Sequence, residues 1–212
     1  MRMGIEAAVA PLFEVQPIAW QPPDPARFDA VMLTSANAPR TSELGRYAHL
    51  RCFAVGPATA QAAREAGFVE LVTSDKDAGA LLASMAAAGV RHAFHPCGED
   101  RTPLPAMPMN IEQYPVYRSV AVPHLPQAAL RTIEAGAIAL IHSPRAGAHF
   151  ARLVSEARLQ RPHTSIVAIS EAAAAAVGDG WSKVAVSREP RDHAMLELAA
   201  RLCNIGDRPG SR

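Results

Sequence analysis

Apolar residues along this chain fall in short runs rich in Val, Ile and Leu, separated by alanine-rich stretches of helical length. The runs at Ala30–Thr34, Cys52–Val55, Glu70–Thr73, His92–His95, Ile111–Tyr117, Ala137–His142, Ser165–Ile169 and Ser182–Val186 predict strands. Ala58–Ala66, Ala78–Ala88, Ala146–Ala157, Glu171–Val177 and Asp192–Cys203 predict helices between them. Strands alternating with helices of this length signal α/β architecture with parallel sheets. Strands that are nearly continuous in apolar residues fit sheets covered on both faces.

Two proline-bearing stretches interrupt this rhythm, "QPIAWQPPDPARF" and "EQYPVYRSVAVPHLPQ". Proline denies the helix and restrains the residue before it, so both predict extended crossings. The blocks after each crossing resemble one another. "AVMLTSANAPR" matches "AIALIHSPRAG", "FAVGPATAQAAREAGFVELVTS" matches "VAISEAAAAAVGDGWSKVAVS", and "DKDAGALLASM" matches "EPRDHAMLELAARL". The expected fold is therefore α/β, with two similar flavodoxin-like parallel-sheet domains arising by internal duplication and joined by a two-stranded hinge. Residues 1–14 plus 124–205 are expected to form a discontinuous domain and 26–113 an inserted one. Residues 15–25 and 114–123 would form the hinge ladder, and 206–212 a polar tail expected to be disordered.

Composition narrows the function. The chain has 212 residues and a net charge of +1, which is no footprint for nucleic acid or an anionic membrane. Lys76 and Lys183 are the only lysines, so arginine supplies nearly all positive charge. Cys52, Cys97 and Cys203 are far apart and odd in number, which argues against a disulfide framework. No long apolar segment or secretory leader is visible, and a cytoplasmic protein is expected. Nothing in the chain requires more than a monomer, which is the expected state.

Candidate chemistry clusters where predicted strands end and helices begin. In an open parallel sheet, ligands bind outside the carboxyl ends of the strands. The amides that start the next helix are unpaired and partly positive, a ready seat for carboxylate or phosphate. Ser35, Gly56, Thr59, Ser143 and Ser170 fall there and are candidate ligand contacts, although each hydroxyl taken singly is better explained as a helix cap. Arg101, Arg118 and Arg145 are candidates to pair with ligand carboxylates. His92, His95 and Cys97 suggest a metal at first glance. However, two histidines three apart on a strand face opposite ways, and no metal site is expected from them. Trp20 is expected to pack on the hinge ladder.

The segments "LTSANA", "AVGPATAQAAREAGF", "PVYRSVAV" and "IHSPRAGAHFARLV" resemble, in order and spacing, recurring segments of the uroporphyrinogen-III synthase family, over about Gly4 to Leu202. The resemblance implies two α/β domains joined by a ladder, with the active site in the cleft between them. It implies a cyclising lyase (a hydro-lyase) of heme and tetrapyrrole synthesis. The substrate would be linear hydroxymethylbilane, handed over by hydroxymethylbilane synthase. It would be closed into uroporphyrinogen III with the last pyrrole ring, ring D, inverted and water lost. Loss of the terminal hydroxyl gives an electrophilic azafulvene. The last ring attacks it through its substituted carbon, and a spiro intermediate fragments and recloses. By its match to the crossing motif, Tyr117 corresponds to the family's candidate acid for hydroxyl departure, with Tyr114 a local rival. A phenol, with a reference pKa of about 10, is a proton donor at neutral pH.

The sequence departs from that family in three places. It begins where the family's first strand and helix should already have passed, so the discontinuous domain is expected to lack its first strand–helix unit, and a misplaced start codon is the expected reason. Ser170 and Ala173 stand where the family often has glycine and threonine, while Thr59 keeps the hydroxyl in the other domain. Pro103, Pro105 and Pro108 are expected to prevent a helix before Ile111. Two competing readings are a non-catalytic tetrapyrrole-binding relative of the synthase and a small-anion receptor of periplasmic-binding architecture.

Overall fold

The computed structural model describes residues 7–74, 77–101 and 103–206. The first six residues and the tail expected after Gly206 lie outside them. The chain forms two compact units. One is Glu14–Val120, and the other comprises the described residues of Met1–Phe13 and Ala121–Arg212.

The Glu14–Val120 unit is built on a sheet ordered β1-β6-β5-β2-β3-β4. Its strands are β1 (Phe13–Pro17), β2 (Ala30–Leu33), β3 (Arg51–Val55), β4 (Leu71–Ser74), β5 (His92–Gly98) and β6 (Asn110–Ala121). The pairs from β6 through β4 are all parallel. Backbone bonds Ile18 N–H to Val116 O and Val122 N–H to Leu12 O, each 3.0 Å, run in opposite chain senses, so the segment around β1 lies antiparallel to β6. The helices are α1 (Asn37–Thr41), α2 (Gly56–Glu65) and α3 (Ala78–Ala87).

Strand β2 shows why an unbroken apolar run makes a central strand. All four of its residues are buried. Val31 and Leu33 join Ala38, Ala60, Ala63 and Phe68 on one face. Ala30 and Met32 join Leu81, Leu82 and Met85 on the other. Side chains alternate across a strand, so a strand covered on both faces needs apolar residues at every position. Counted from β2, the five parallel strands lie in the order 5-4-1-2-3, which differs from the 2-1-3-4-5 of flavodoxin but keeps a switch point, here between β2 and β5.

The face carrying Phe94 is aromatic. Tyr47 stacks on Phe94 at 4.2 Å, and Phe28, Tyr114 and Trp20 follow at 5.4, 5.3 and 5.9 Å between ring centroids. The Tyr47 hydroxyl donates to the Pro23 carbonyl at 2.8 Å and ties the proline-bearing entry segment to this cluster. Trp20 thus packs on Phe94 of β5 as well as on Tyr114 of β6. The described residues between β5 and β6 form no helix, as expected from their prolines.

The other unit has a parallel sheet ordered β7-β8-β9, from β7 (Ala137–Ile141), β8 (Thr164–Ala168) and β9 (Lys183–Val186). Four helices accompany it: α4 (Gln127–Glu134), α5 (Pro144–Glu156), α6 (Glu171–Val177) and α7 (Asp192–Gly206). Ile166 and Ala168 of β8 pack with Phe150, Val154 and Val177, while Val167 meets Met195 and Ala199 on the opposite face. Strand β7 forms one edge of this sheet, and its first four residues, Ala-Ile-Ala-Leu, are only half-buried.

Candidate functional site

Every predicted serine turn in this chain stands at the carboxyl end of a parallel strand. In the Glu14–Val120 unit, Ser35 follows β2, and its Oγ accepts from the Asn37 amide at 3.2 Å. Gly56, with φ +76°, opens α2 directly after β3. The residue before it is Val55, so no side chain caps α2. The first amides of that helix are left for water or a ligand. Thr59 stands in the first turn but is buried.

Tyr117 is positioned by a defect in the ladder. Residues pair in step from His92 with Asn110 to Cys97 with Pro115; then Gly98 pairs with Tyr117, and Val116 is skipped. Proline has no N–H to donate, and an extra residue in one strand is a bulge that re-aims the side chains beyond it. Tyr117 therefore lands opposite the last residue of β5, and that residue is glycine. A Cβ on Gly98 would lie 3.0 Å from Cζ and 3.1 Å from the hydroxyl oxygen of Tyr117. The ring occupies the space a side chain would take. Sequence reasoning missed this contact of Gly98; the signal was a glycine at the end of a strand, where close approach is a common reason for one.

Arg101 joins this corner. Its Nε donates to Gln113 Oε1 at 2.6 Å, and one guanidinium nitrogen reaches the carbonyls of Gly98 and Glu99 at 3.3 and 3.1 Å. The structure thus brings Tyr117, Gly98 and Arg101 together at the carboxyl end of β5. Arg118 is exposed and reaches Gln16 Oε1 at 3.4 Å. A hollow of about 680 Å³ opens elsewhere in this unit, beside Trp20, Pro39 and Leu44, and contains none of the predicted site residues.

In the other unit, Ser143 caps α5 by accepting from the Ala146 amide at 3.1 Å, and Ser170 caps α6 by accepting from Ala173 at 3.3 Å. Arg145 lies with its guanidinium 4.6 Å from the centre of the Phe13 ring. Both serine hydroxyls are thus in use as caps.

The histidines and cysteines have other work. His95 is buried, with Nδ1 2.9 Å from the Met32 carbonyl, and burial lowers its pKa, so the ring is held neutral and donates across the β2–β5 pair. The buried Cys52 thiol is pushed up to about 12, and burial raises Cys97 as well. His92 belongs to a cluster at the amino ends of β5 and β6. There Glu112 accepts from the Tyr114 hydroxyl, pairs with Arg27, and meets His92 Nε2, each at 2.7 Å. The Tyr114 hydrogen bond holds the Glu112 carboxyl below its ordinary range; burial, the next effect, opposes it, and His92 and Arg27 add to the lowering. A depressed folded-state pKa stabilises above the unfolded value of about 4.3 and is lost as pH falls through the folded value. Acid titration monitored by Trp20 fluorescence is expected to show a steeper loss of stability below about pH 4.3 in the wild type than in Glu112→Gln. Identical acid limbs would remove this cluster from the stability of the unit.

The family model described as Uroporphyrinogen-III synthase HemD matches residues 1–197. The chain belongs to the uroporphyrinogen-III synthase family. That family consists of cyclising lyases of porphyrin and heme biosynthesis acting on a small-molecule substrate. Among solved structures, a uroporphyrinogen-III synthetase from Helicobacter pylori is 16% identical over 90% of this chain and 91% of that one, with a TM-score of 0.62. The native uroporphyrinogen III synthase of the extremely thermophilic bacterium Thermus thermophilus is also 16% identical, over 91% of this chain and 86% of that one, with a TM-score of 0.43. At such identity the Helicobacter likeness establishes the synthase fold, two-domain α/β with mostly parallel sheets. No curated protein matches the chain. Among the described residues no helix is long and apolar enough to cross a membrane.

Proposed function

We propose that this chain closes linear hydroxymethylbilane into uroporphyrinogen III, inverting ring D and releasing one water. The family match over residues 1–197 carries this reading. The local geometry supports it. The substrate's carboxylates need donors, and the amides that open α2, together with Ser35, Ser143, Ser170 and the nearby arginines, are donors of the right kind at strand ends. Thr59 lines the same helix start from within. Tyr117 assists departure of the terminal hydroxyl by donating its proton, so that the leaving group is water rather than hydroxide. No metal or organic cofactor takes part. The enzyme works as a cytoplasmic monomer, and its substrate comes from hydroxymethylbilane synthase.

The test is to feed the purified protein enzymatically generated hydroxymethylbilane and resolve the product isomers after oxidation. Isomer III is expected; isomer I alone, at the spontaneous rate, would favour the non-catalytic binder. In the same assay Tyr117→Phe is expected to slow isomer III formation about 100-fold, at the low end of what a positioned general acid contributes. Gly98→Ala pushes a methyl into the Tyr117 ring and is expected to cost about tenfold, through misplacement alone. Wild-type rates in both variants would take Tyr117 out of the chemistry.

A further inference from the structure

We propose that His142, oriented by Asp192, is the group that accepts the proton released when the macrocycle closes; this rests on the synthase reading above. His142 directly follows β7 and precedes Ser143, the cap of α5, so it stands at the carboxyl end of the sheet where ligands of such folds bind. Its Nε2 lies 3.0 Å from Oδ1 of Asp192, the first residue of α7. The two side chains are 49% and 78% exposed. An ion pair so open to solvent adds little to stability. Its form, however, is that of a base held by an orienting carboxylate, one of the arrangements that mark a site of proton transfer.

The stoichiometry leaves a proton to be accepted. The ring D carbon that finally closes the macrocycle carries a hydrogen in the linear chain and none in the product. In the last step a C–C bond forms at that carbon, its C–H bond breaks, and the C–H electron pair restores the pyrrole. The departing hydroxyl takes one proton from a donor, and the carbon-bound proton passes to an acceptor; together they account for the single water lost, with nothing oxidised or reduced. A phenol, protonated at neutral pH, suits the first task. An imidazole, with a pKa of about 6.5 in free peptides, suits the second. With a proton on Nε2 donated to Asp192, the other ring nitrogen, Nδ1, is the acceptor and afterwards releases its proton to water. The Asp192 charge also steadies the imidazolium that forms. Neither His142 nor Asp192 has any part in the serine-turn and tyrosine contacts already assigned.

His142→Ala and Asp192→Asn are assayed for isomer III under saturating hydroxymethylbilane, with and without added imidazole. His142→Ala is expected to lower kcat about 100-fold, the low end for a general base. KM is expected to stay within about twofold, because a group that acts only on the departing proton contributes nothing to ground-state binding. Imidazole in solution is expected to restore part of the rate to His142→Ala and none to Asp192→Asn, whose own loss is smaller. Both positions are exposed, so circular dichroism is expected to match the wild type. A wild-type kcat in His142→Ala overturns the proposal, as does a loss that imidazole leaves untouched or one that lies in KM alone. Isomer I alone from the wild type removes the synthase reading and this assignment with it, whereas isomer III at full rate from both variants removes this assignment only.

Discussion

Phe94→Ala is expected to destabilise the Glu14–Val120 unit by about 3–5 kcal/mol, the range for emptying a large aromatic position in a core. Phe94 is fully buried on β5, and four other rings close around it. The loss has two parts. Removing the ring forfeits its own burial, and Tyr47, Phe28, Tyr114 and Trp20 then line a cavity that they fill only in part. Each aromatic pair adds about 0.5–1.5 kcal/mol beyond area. Urea unfolding followed by Trp20 fluorescence, in a Trp181→Phe background, reads this unit alone, because Trp181 belongs to the other. The midpoint is expected to fall with the slope unchanged. A change below about 1 kcal/mol would mean that the surrounding rings collapse into the space, and that Phe94 is no keystone.

Gly147→Leu gives the second large effect, and its sign is a clean test. By helix propensity alone, replacing a mid-helix glycine with leucine stabilises by about 1 kcal/mol. Here α5 lies so close to α6 that a Cβ on Gly147 would stand 3.0 Å from the Ala173 carbonyl oxygen and 3.0 Å from Val177 Cγ1. The first of these contacts is backbone and cannot swing aside. Relief requires α6 to move, and α6 carries the Ser170 turn at its start. The net expectation is a loss of about 3 kcal/mol, the upper part of the overpacking range. Trp181 packs on Phe150 of α5 at 5.4 Å and donates to the Val177 carbonyl at 3.1 Å, so its fluorescence reports the change directly. A neutral or stabilising Gly147→Leu would show that α5 and α6 slide apart freely.

The alternation of β2, β3 and β8 with α2, α5 and α6 was legible because a strand covered on both faces needs a nearly unbroken apolar run, and β2 is apolar throughout while β3 and β8 are apolar from Cys52 and Ile166 onward. Helix α4 was not legible. It follows a proline-bearing stretch read as an extended crossing, and its first turn has no capping side chain, only Pro126. Its buried positions, Ala129 and Ile133, are four apart, which is the spacing of a helix face, but eight residues are few for a period to declare itself. Helix α1 is shorter still and contains Pro39. Strand β6 joins the apolar run at Ile111–Tyr117 to the extended crossing expected beyond it, running from Asn110 to Ala121 through Pro115, because the bulge beside that proline absorbs the missing donor. The serine turns were legible one by one. Tyr117 was singled out by resemblance, yet nothing in a linear text pairs it with Gly98, because that meeting depends on a register slip between two strands. His142 and Asp192, fifty residues apart, meet only through the fold.

Strand β7 has a consequence for how this protein behaves in company. Along that flank of the β7-β8-β9 sheet, Ala137 to Ile141 offer neither charge, nor proline, nor kink. Those are the devices by which strands at a border repel strangers. Among the described residues no strand lies beyond β7, and an unblunted border of this kind is a template on which an extended peptide, another molecule of the same protein included, can pair.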